Sequence, residues 1–514
     1  MSRLAREGVD WIEDLGQHGD AEALLMNGES FDYSRLREMA RCLAAALGER
    51  GLVAGDLVAV LAAPSVAGVA LIHALLDRRI AMLPLNGRLT EVEQVDLLER
   101  ARPRFLIVSE NVDPERADRL AVQVGCGLIL LASGRDRSVA LSERRSRPPG
   151  VEAFETGAIE DRRVRDQMDV ALILSTSGTS GRPKLAMLSR DNLQTSARAS
   201  IDLLGHQRED RWLLCMPLFH IGGLSVLIRS ALVGTSAVIH ENFDPRRVAD
   251  CLEADRITRV SFVATMLEQV IVARGEKRCP ATLRLVLLGG GPASTSLLQR
   301  GEALGYPIAP TYGLTEAASQ VATRPPLDPF DPLVPDGRDR SGGLVPLPGV
   351  GLRILDENGN LASVGEEGEI LVRGPIVMQG YFDEPTATAA AIVDGWLRTG
   401  DIGRIDASGH LRVLDRRADL ILSGGENVYP AEIESVIAGH PDVEGVGVVG
   451  RPDERFGARP VAYVIWRGAE PFDDKRLESF CRERLAGYKI PIEFHETPRL
   501  PRTTSGKLIR RLLE

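Results

Sequence analysis

The sequence predicts an α/β protein. A large N-terminal domain of layered α/β subdomains with a small β-rich subdomain is followed by a small α+β C-terminal domain. Three observations lead there. Over the first two-thirds, short β-like apolar runs alternate with amphipathic stretches, the pattern of a largely parallel sheet with helices between its strands. After about Pro346 the texture shifts to short β-like runs and glycine turns. After about Asp415 a compact mixed unit of about 100 residues begins. The chain has 514 residues, too many for one ordinary core. The expected division is 1–415, with the β-rich subdomain at about 346–415, and 416–514.

In chain order, the β-like runs are "LVAVLAA" (57–63), "FLIVSE" (105–110), "LILLAS" (128–133), "VALILST" (170–176), "SAVIHE" (236–241), "RVSFVA" (259–264) and "LRLVLLGGG" (283–291). Helical patterns lie between them, such as Tyr33 to Arg50 and Pro245 to Ala254. The stretch from Leu57 to Leu76 carries no formal charge across a membrane-like length. Pro64, Ser65 and Gly68 interrupt it, so it reads as a buried strand, a turn and a helix. Further on, "VGLRILDENGNLASVGEEGEILVRG" reads as β-hairpins with turns at Glu357–Gly359 and Gly365–Gly368. The last unit offers a helix from Pro430, strands "VEGVGVVG" and "PVAYVIW", and the helix "DKRLESFCRERLA". The tail Leu500 to Lys507 reads as an exposed loop.

Apolar content of 44% and charged content of 26% are those of a soluble globular chain. A net charge of −10 leaves no basic footprint for nucleic acid. The six cysteines are dispersed, with no C-x-x-C and no histidine at zinc spacing. A reduced, cytoplasmic protein is expected. The N-terminus has early acids and no apolar core of a signal peptide.

The first chemical signal is "LILSTSGTSGRPKLAML" (172–188). Hydroxyls at Ser175, Thr176, Ser177, Thr179 and Ser180, two glycines that free backbone N–H groups, and Lys184 suit a triphosphate tail. The Walker pattern G-x-x-x-x-G-K-[ST] does not fit, because Gly178 and Gly181 are three apart and Leu185 follows Lys184. A literal G-x-G-x-x-G at Gly445, Gly447 and Gly450 lies in a β-like run before Arg-Pro-Asp, so no helix start follows to receive a pyrophosphate.

Four further motifs follow in order: "TYGLTEAA" (311–318), "GWLRTGDIG" (395–403), "LDRRADLILSGGENVYPAEIE" (414–434) and "LPRTTSGKLIRR" (500–511). With them the chain resembles the adenylate-forming superfamily of acyl- and aryl-CoA synthetases, adenylation domains and luciferases, over about 20–512. The resemblance implies two half-reactions. A carboxylate attacks the α-phosphorus of ATP, and a thiol, usually of coenzyme A, then takes the acyl group. Thr176 to Lys184 (Thr176, Ser177, Gly178, Thr179, Ser180, Gly181 and Lys184) would hold the β- and γ-phosphates. Glu316, helped by Thr315 and Thr179, would bind Mg²⁺. Gly289, Gly290, Gly291 and Pro292 would lie against adenine or the acyl group. Thr311, Tyr312 and Gly313 would flank the base and α-phosphate. Asp401 and Arg416 would meet the ribose. Lys507 would be the catalytic cation, reaching carboxylate and α-phosphate during adenylation. The small domain would rotate about a hinge after Arg416, where Ala418 stands in place of the usual Asp or Lys. It would present Lys507 in one state and "SGGEN" (Ser423, Gly424, Gly425 and onward) in the other. Leu185 replaces a customary glycine.

For the acid, "RWLLCMPLFHIGGLSVLIRSALVG" (211–234) lacks the Asp that amino-acid-activating relatives use. With "VLLGGGPAS", "TYGLTEAASQVAT" and "DLILSGGENVYPAEIE" it looks most like the o-succinylbenzoate–CoA ligases of menaquinone synthesis. His220 would line the acyl pocket and the thiol approach. Arg229 would anchor a second carboxylate, its alternative being a surface arginine. Thr265 and Ser319 would add polar wall. The partners implied are a carboxylic acid, ATP and coenzyme A, with no nucleic acid and no stable membrane insertion. A homodimer stays open. So do two other readings, another aryl- or fatty-acid–CoA ligase and a stand-alone module that loads a carrier protein.

Overall fold

The computed structural model describes residues 11–514 except 90, 134–138, 145–168, 177–183, 292, 326–342, 417–420, 424–425, 429, 454–455, 469, 486, 504–507 and 514. Its architecture is mixed α/β, as expected. Two large sheets dominate, and all seven β-like runs are strands in them. The first sheet has eight strands in the order Gly380–Tyr381, Leu185–Ser189, Val170–Ser175, Ala81–Pro84, Leu57–Leu61, Phe105–Ser109, Gly127–Ser133 and Val139–Arg144. Its five central strands run parallel, with antiparallel strands at both edges. The second sheet has nine strands. Six of them are parallel, from Glu22–Met26 through Ser236–Ile239, Arg211–Leu214, Arg259–Phe262 and Leu285–Leu288 to Ile308–Tyr312.

Parallel strands buried on both faces need continuous apolar runs. Leu57–Leu61 and Arg259–Phe262 are buried at every position, as is the antiparallel Leu185–Ser189. The uncharged stretch at Leu57 resolves as expected into a strand, a turn and the helix Val66–Asp77. Ser65 caps that helix by accepting from the Gly68 backbone N–H at 3.1 Å. Among the described residues no helix is long and apolar enough to cross a membrane. Pro245–Ala254 is helical over the expected span, with Pro at the first turn and Asp244 as cap.

A third, five-stranded antiparallel sheet follows. Gly351–Leu355 pairs with Gly368–Arg373, and Trp396–Ile405 lies between that strand and Leu411–Arg416. The two expected turns belong to one hairpin, with Gly359 and Gly365 at φ +82° and +88°. The last sheet pairs Val443–Asp453 with Gly457–Trp466 and packs the helices Pro430–Ala438 and Asp474–Arg482. "GVGVVG" therefore lies inside a strand.

One polar cluster sits inside the nine-stranded layer. The buried Asp210 carboxylate accepts from Arg259 Nε at 2.6 Å, Thr258 Oγ1 at 2.7 Å and the Gln207 N–H at 2.8 Å, and pairs with Arg284. Burial opposes its ionisation. The Arg259 guanidinium and these hydrogen bonds outweigh that and hold the carboxyl below the usual carboxylate range.

Candidate active site

The Ser/Thr/Gly loop is the connection of an antiparallel hairpin. Val170–Ser175 runs in and Leu185–Ser189 runs out, and the Thr176 N–H donates to the Lys184 carbonyl at 2.8 Å across the base. Thr176 is buried. Ser177, Gly178, Thr179, Ser180 and Gly181 lie outside the described residues. Leu185 pairs with Ser175 in register and is buried in the core. A side chain is wanted there because the residue belongs to the strand rather than to the loop.

Motif residues from three separate segments meet in two sets of contacts, Tyr312 with Asp401 and, through Tyr381, Glu316 with Lys184. Tyr312 ends the strand Ile308–Tyr312, and its hydroxyl donates to Asp401 Oδ2 at 2.8 Å. Asp401 is 5% exposed, on the strand Trp396–Ile405, and stands opposite Arg416 in register. The turn before it is fixed from three sides. Thr399 Oγ1 donates to the Ile370 carbonyl at 2.8 Å, the Gly400 N–H donates to Glu369 Oε1 at 3.2 Å, and the Asp401 N–H donates to Thr399 Oγ1 at 3.1 Å. Glu316 sits in the one-turn 3₁₀ helix Thr315–Ala317, and its Oε1 accepts from the Tyr381 hydroxyl at 3.1 Å. The Lys184 ammonium lies 4.7 Å from the centre of the same Tyr381 ring.

The "TYGLTEAAS" turn is strained. Ala318 and Ser319 have φ of +49° and +96°, uncommon for residues with a side chain. The chain closes on itself so tightly that a Cβ on Gly313 would lie 1.6 Å from the Ser319 carbonyl oxygen, so only glycine fits. Ser196 Oγ holds the turn by donating to the Ala318 carbonyl at 2.7 Å. Thr311 Oγ1 lies 2.6 Å from Thr323 Oγ1. Gly289, Gly290 and Gly291 follow the strand Leu285–Leu288. Gly290 has φ +81°, and a Cβ there would lie 2.9 Å from Val263 Cγ1. Pro292 is outside the described residues.

Val263 also lines a cavity of about 770 Å³ at the carboxyl ends of strands from both large sheets. His220 and Thr265 are on its wall, with Arg88, Met266, Phe243 and Arg502. His220 occupies the N-cap position of the helix Ile221–Val233 without a side-chain cap bond, and its Nε2 is buried without a partner among the described residues. Burial, reinforced by the Arg88 charge, presses its pKa down to about 4, so the ring is neutral at working pH.

Arg229, on the same helix, is not a surface residue and is not on that cavity wall. It is 2% exposed, with its guanidinium 4.4 Å from the Trp212 ring and Nη1 donating to Gln320 Oε1 at 3.3 Å. Its Nε and Nη2 are buried without a partner among the described residues. Gln320 in turn donates to Thr323 Oγ1 at 2.9 Å and accepts from Ser200 Oγ at 2.6 Å. Ser319 therefore adjoins the residue that Arg229 contacts. Ser423 is buried in the last sheet, at the end of Ile421–Ser423. Gly424, Gly425 and Lys507 lie outside the described residues. The chain flanking Lys507 is a hairpin stem, with Arg502 bridged to Leu508 and the Ile509 N–H donating to the Pro501 carbonyl at 2.9 Å.

Sequence reasoning missed Tyr381, Gln320 and Arg88. Gln320 stands inside the stretch "TYGLTEAASQVAT", next to Ser319, but the motif assigns it no role. Tyr381 sits in "QGYF", where no local pattern signals a site.

Known proteins match along the whole chain. The family described as AMP-binding enzyme matches residues 12–382, and the AMP-binding enzyme C-terminal domain matches 432–507. The 2-succinylbenzoate–CoA ligase of Bacillus licheniformis is 37% identical over 507 residues, covering 98% of this chain and 99% of that protein. Two solved structures of o-succinylbenzoate coenzyme A synthetase from Bacillus subtilis superpose with a TM-score of 0.82 each. One, in complex with the acyl-adenylate intermediate OSB-AMP, is 32% identical and covers 99% of this chain and 98% of that chain. The other, in complex with ATP and a magnesium ion, is 34% identical and covers 98% and 99%.

Proposed function

Because this chain belongs to the AMP-binding enzyme family, we propose that it is an ATP-dependent acyl-CoA ligase whose acid is o-succinylbenzoate, acting in menaquinone synthesis. One observation supports the chemistry above the others. Lys184, Tyr312, Glu316 and Asp401 come from three separate motifs; the Tyr312 hydroxyl joins Asp401, and Tyr381 joins Glu316 through its hydroxyl and Lys184 through its ring face. The full-length likeness to o-succinylbenzoate ligases supports the choice of acid.

On this reading the chain supplies positioning and charge, since neither half-reaction needs a protein nucleophile. Thr176 and Lys184, with the loop between them, hold the leaving pyrophosphate. Asp401 accepts from the ribose hydroxyls, as an acceptor-only carboxylate can. Gly289 to Gly291 give the base or acyl group bare backbone to lie against. The described donors at Glu316 fit magnesium in kind, being all oxygen: its carboxylate and the neighbouring Thr315 hydroxyl, to be completed by phosphate; Thr179, expected to join them, lies outside the described residues. When bound, the ion neutralises charge on the phosphates. Lys507 stabilises charge that builds between the acid and the α-phosphate. His220, neutral, borders the path by which the thiol approaches. Arg229, which contacts Gln320, supplies two buried donors without a partner among the described residues, and a second carboxylate is the group they would pair with.

The proposed division is 1–415 and 416–514, with the second unit turning between half-reactions. A cytoplasmic setting and a homodimer complete the proposal, the latter open to light scattering. Lys507→Ala tests the division of labour. Adenylate formation should collapse while thioester formation from supplied adenylate persists. Equal loss in both half-reactions would refute it.

A further inference from the structure

We propose that Tyr381 is a positioning residue for MgATP. It fixes the carboxylate that takes the metal relative to the lysine that takes the phosphates. The proposal rests on the adenylation reading above and adds a residue that no motif in it contains.

The geometry is specific. Tyr381 is 8% exposed and touches both charged groups at once, its hydroxyl donating to Glu316 Oε1 at 3.1 Å and its ring facing the Lys184 ammonium at 4.7 Å. The backbone around it is pinned to the same two places. Gly380 and Tyr381 form a two-residue strand antiparallel to Met187 and Ala186, just beyond Lys184. The Phe382 N–H donates to the Leu185 carbonyl at 2.8 Å, and the Met378 N–H donates to the carbonyl of Glu316 itself at 2.8 Å. Thr388 Oγ1 accepts from the Tyr381 N–H at 2.8 Å. The ring is thus held from both sides, between two segments more than 100 residues apart in sequence.

A tyrosine serving only the core satisfies its hydroxyl elsewhere. Tyr33 does so, donating to the Ser230 and Thr235 carbonyls at 2.7 Å each. Tyr381 instead donates its hydrogen bond to an ionisable carboxylate. With Oε1 engaged by Tyr381, Oε2 is the oxygen without a hydrogen bond among the described residues, and it is the oxygen we assign to the cation. Orienting a ligand through its other oxygen is how an outer partner tunes a metal site. The ring face meanwhile gives the Lys184 ammonium a fixed platform.

Direct binding tests this without turnover. Calorimetric titrations of wild type, Tyr381→Phe and Tyr381→Leu would use MgATP and, separately, ATP in excess chelator, alongside thermal melts. Phenylalanine keeps the ring and removes only the hydroxyl. MgATP affinity should fall about tenfold, the scale of one hydrogen bond to a charged group, with metal-free ATP affinity and melting temperature unchanged. Leucine should also weaken metal-free ATP about two- to fivefold, as the lysine loses its platform. Wild-type MgATP affinity in Tyr381→Phe would overturn the proposal. So would an equal loss with and without metal, accompanied by a lower melting temperature. A wild-type protein that bound no MgATP would overturn the adenylation reading and the role of Tyr381 together.

Discussion

Arg229→Met should separate stability from function. Burial first, and the Arg259 charge second, press the Arg229 pKa from 12.5 to about 9. That difference corresponds to about 5 kcal/mol against the cation, lost solvation first and Arg259 repulsion second. The Trp212 face and one hydrogen bond to Gln320 offset part of it. Nε and Nη2 offset none of it within the described residues. Replacing such a charge by an apolar side chain of similar length should leave the fold as stable as before, or more stable by about 1–4 kcal/mol. The pH dependence follows the same sign. The folded pKa lies below the unfolded one, so the burial penalty is complete below pH 9 and is relieved as pH rises from 9 toward 12.5. The assay pairs denaturant unfolding with kcat/KM for o-succinylbenzoate and for benzoate. Losing a paired carboxylate should lower kcat/KM for the dicarboxylate about 10- to 100-fold and leave the monocarboxylate within about threefold. A destabilised variant that loses both acids equally, or one that keeps full activity on o-succinylbenzoate, would refute the reasoning.

Other outcomes follow from the same structure. Asp210→Ala leaves the Arg259 and Arg284 charges uncompensated and should destabilise the protein by about 3–5 kcal/mol in urea unfolding. In the wild type the Asp210 contribution should be present above pH 4 and be lost as pH falls through its lowered folded value; an acid limb missing from the stability curve would contradict this. Glu434 accepts from the Val448 N–H at 2.8 Å and pairs with Arg510 at 2.8 Å, just beyond the stem that flanks Lys507. Glu434→Ala should therefore slow adenylation more than thioester formation, and equal slowing would argue against a tether. Since His220 titrates near 4, kcat/KM should show no histidine limb near pH 6.5. A limb there that vanishes in His220→Phe would contradict the neutral ring.

Local signals carried most of the fold. The run at Leu57 divided at Pro64 because strand and helix periods differ on its two sides, and Pro245–Ala254 was bounded by its own proline and cap. Strand order was not legible, because the pairing of Gly380–Tyr381 with Leu185–Ser189 joins distant segments with no shared local pattern. The site divided in the same way. Glu316, Tyr312 and Asp401 stand in motifs whose glycines betray tight turns, as Gly313 does under Ser319. Tyr381 acts only through what the fold brings to it. Arg229 read equally as a surface residue, since one charge on an apolar helix does not say which face is covered. Leu185 looked like a departure within a flexible loop and is a core strand residue.

The central claim is tested most directly by AMP release with ATP, Mg²⁺ and coenzyme A across o-succinylbenzoate, substituted benzoates and fatty acids. CoA-dependent AMP formation with o-succinylbenzoate should run well above that with every other acid. No turnover of o-succinylbenzoate, beside brisk turnover of another acid, would contradict it.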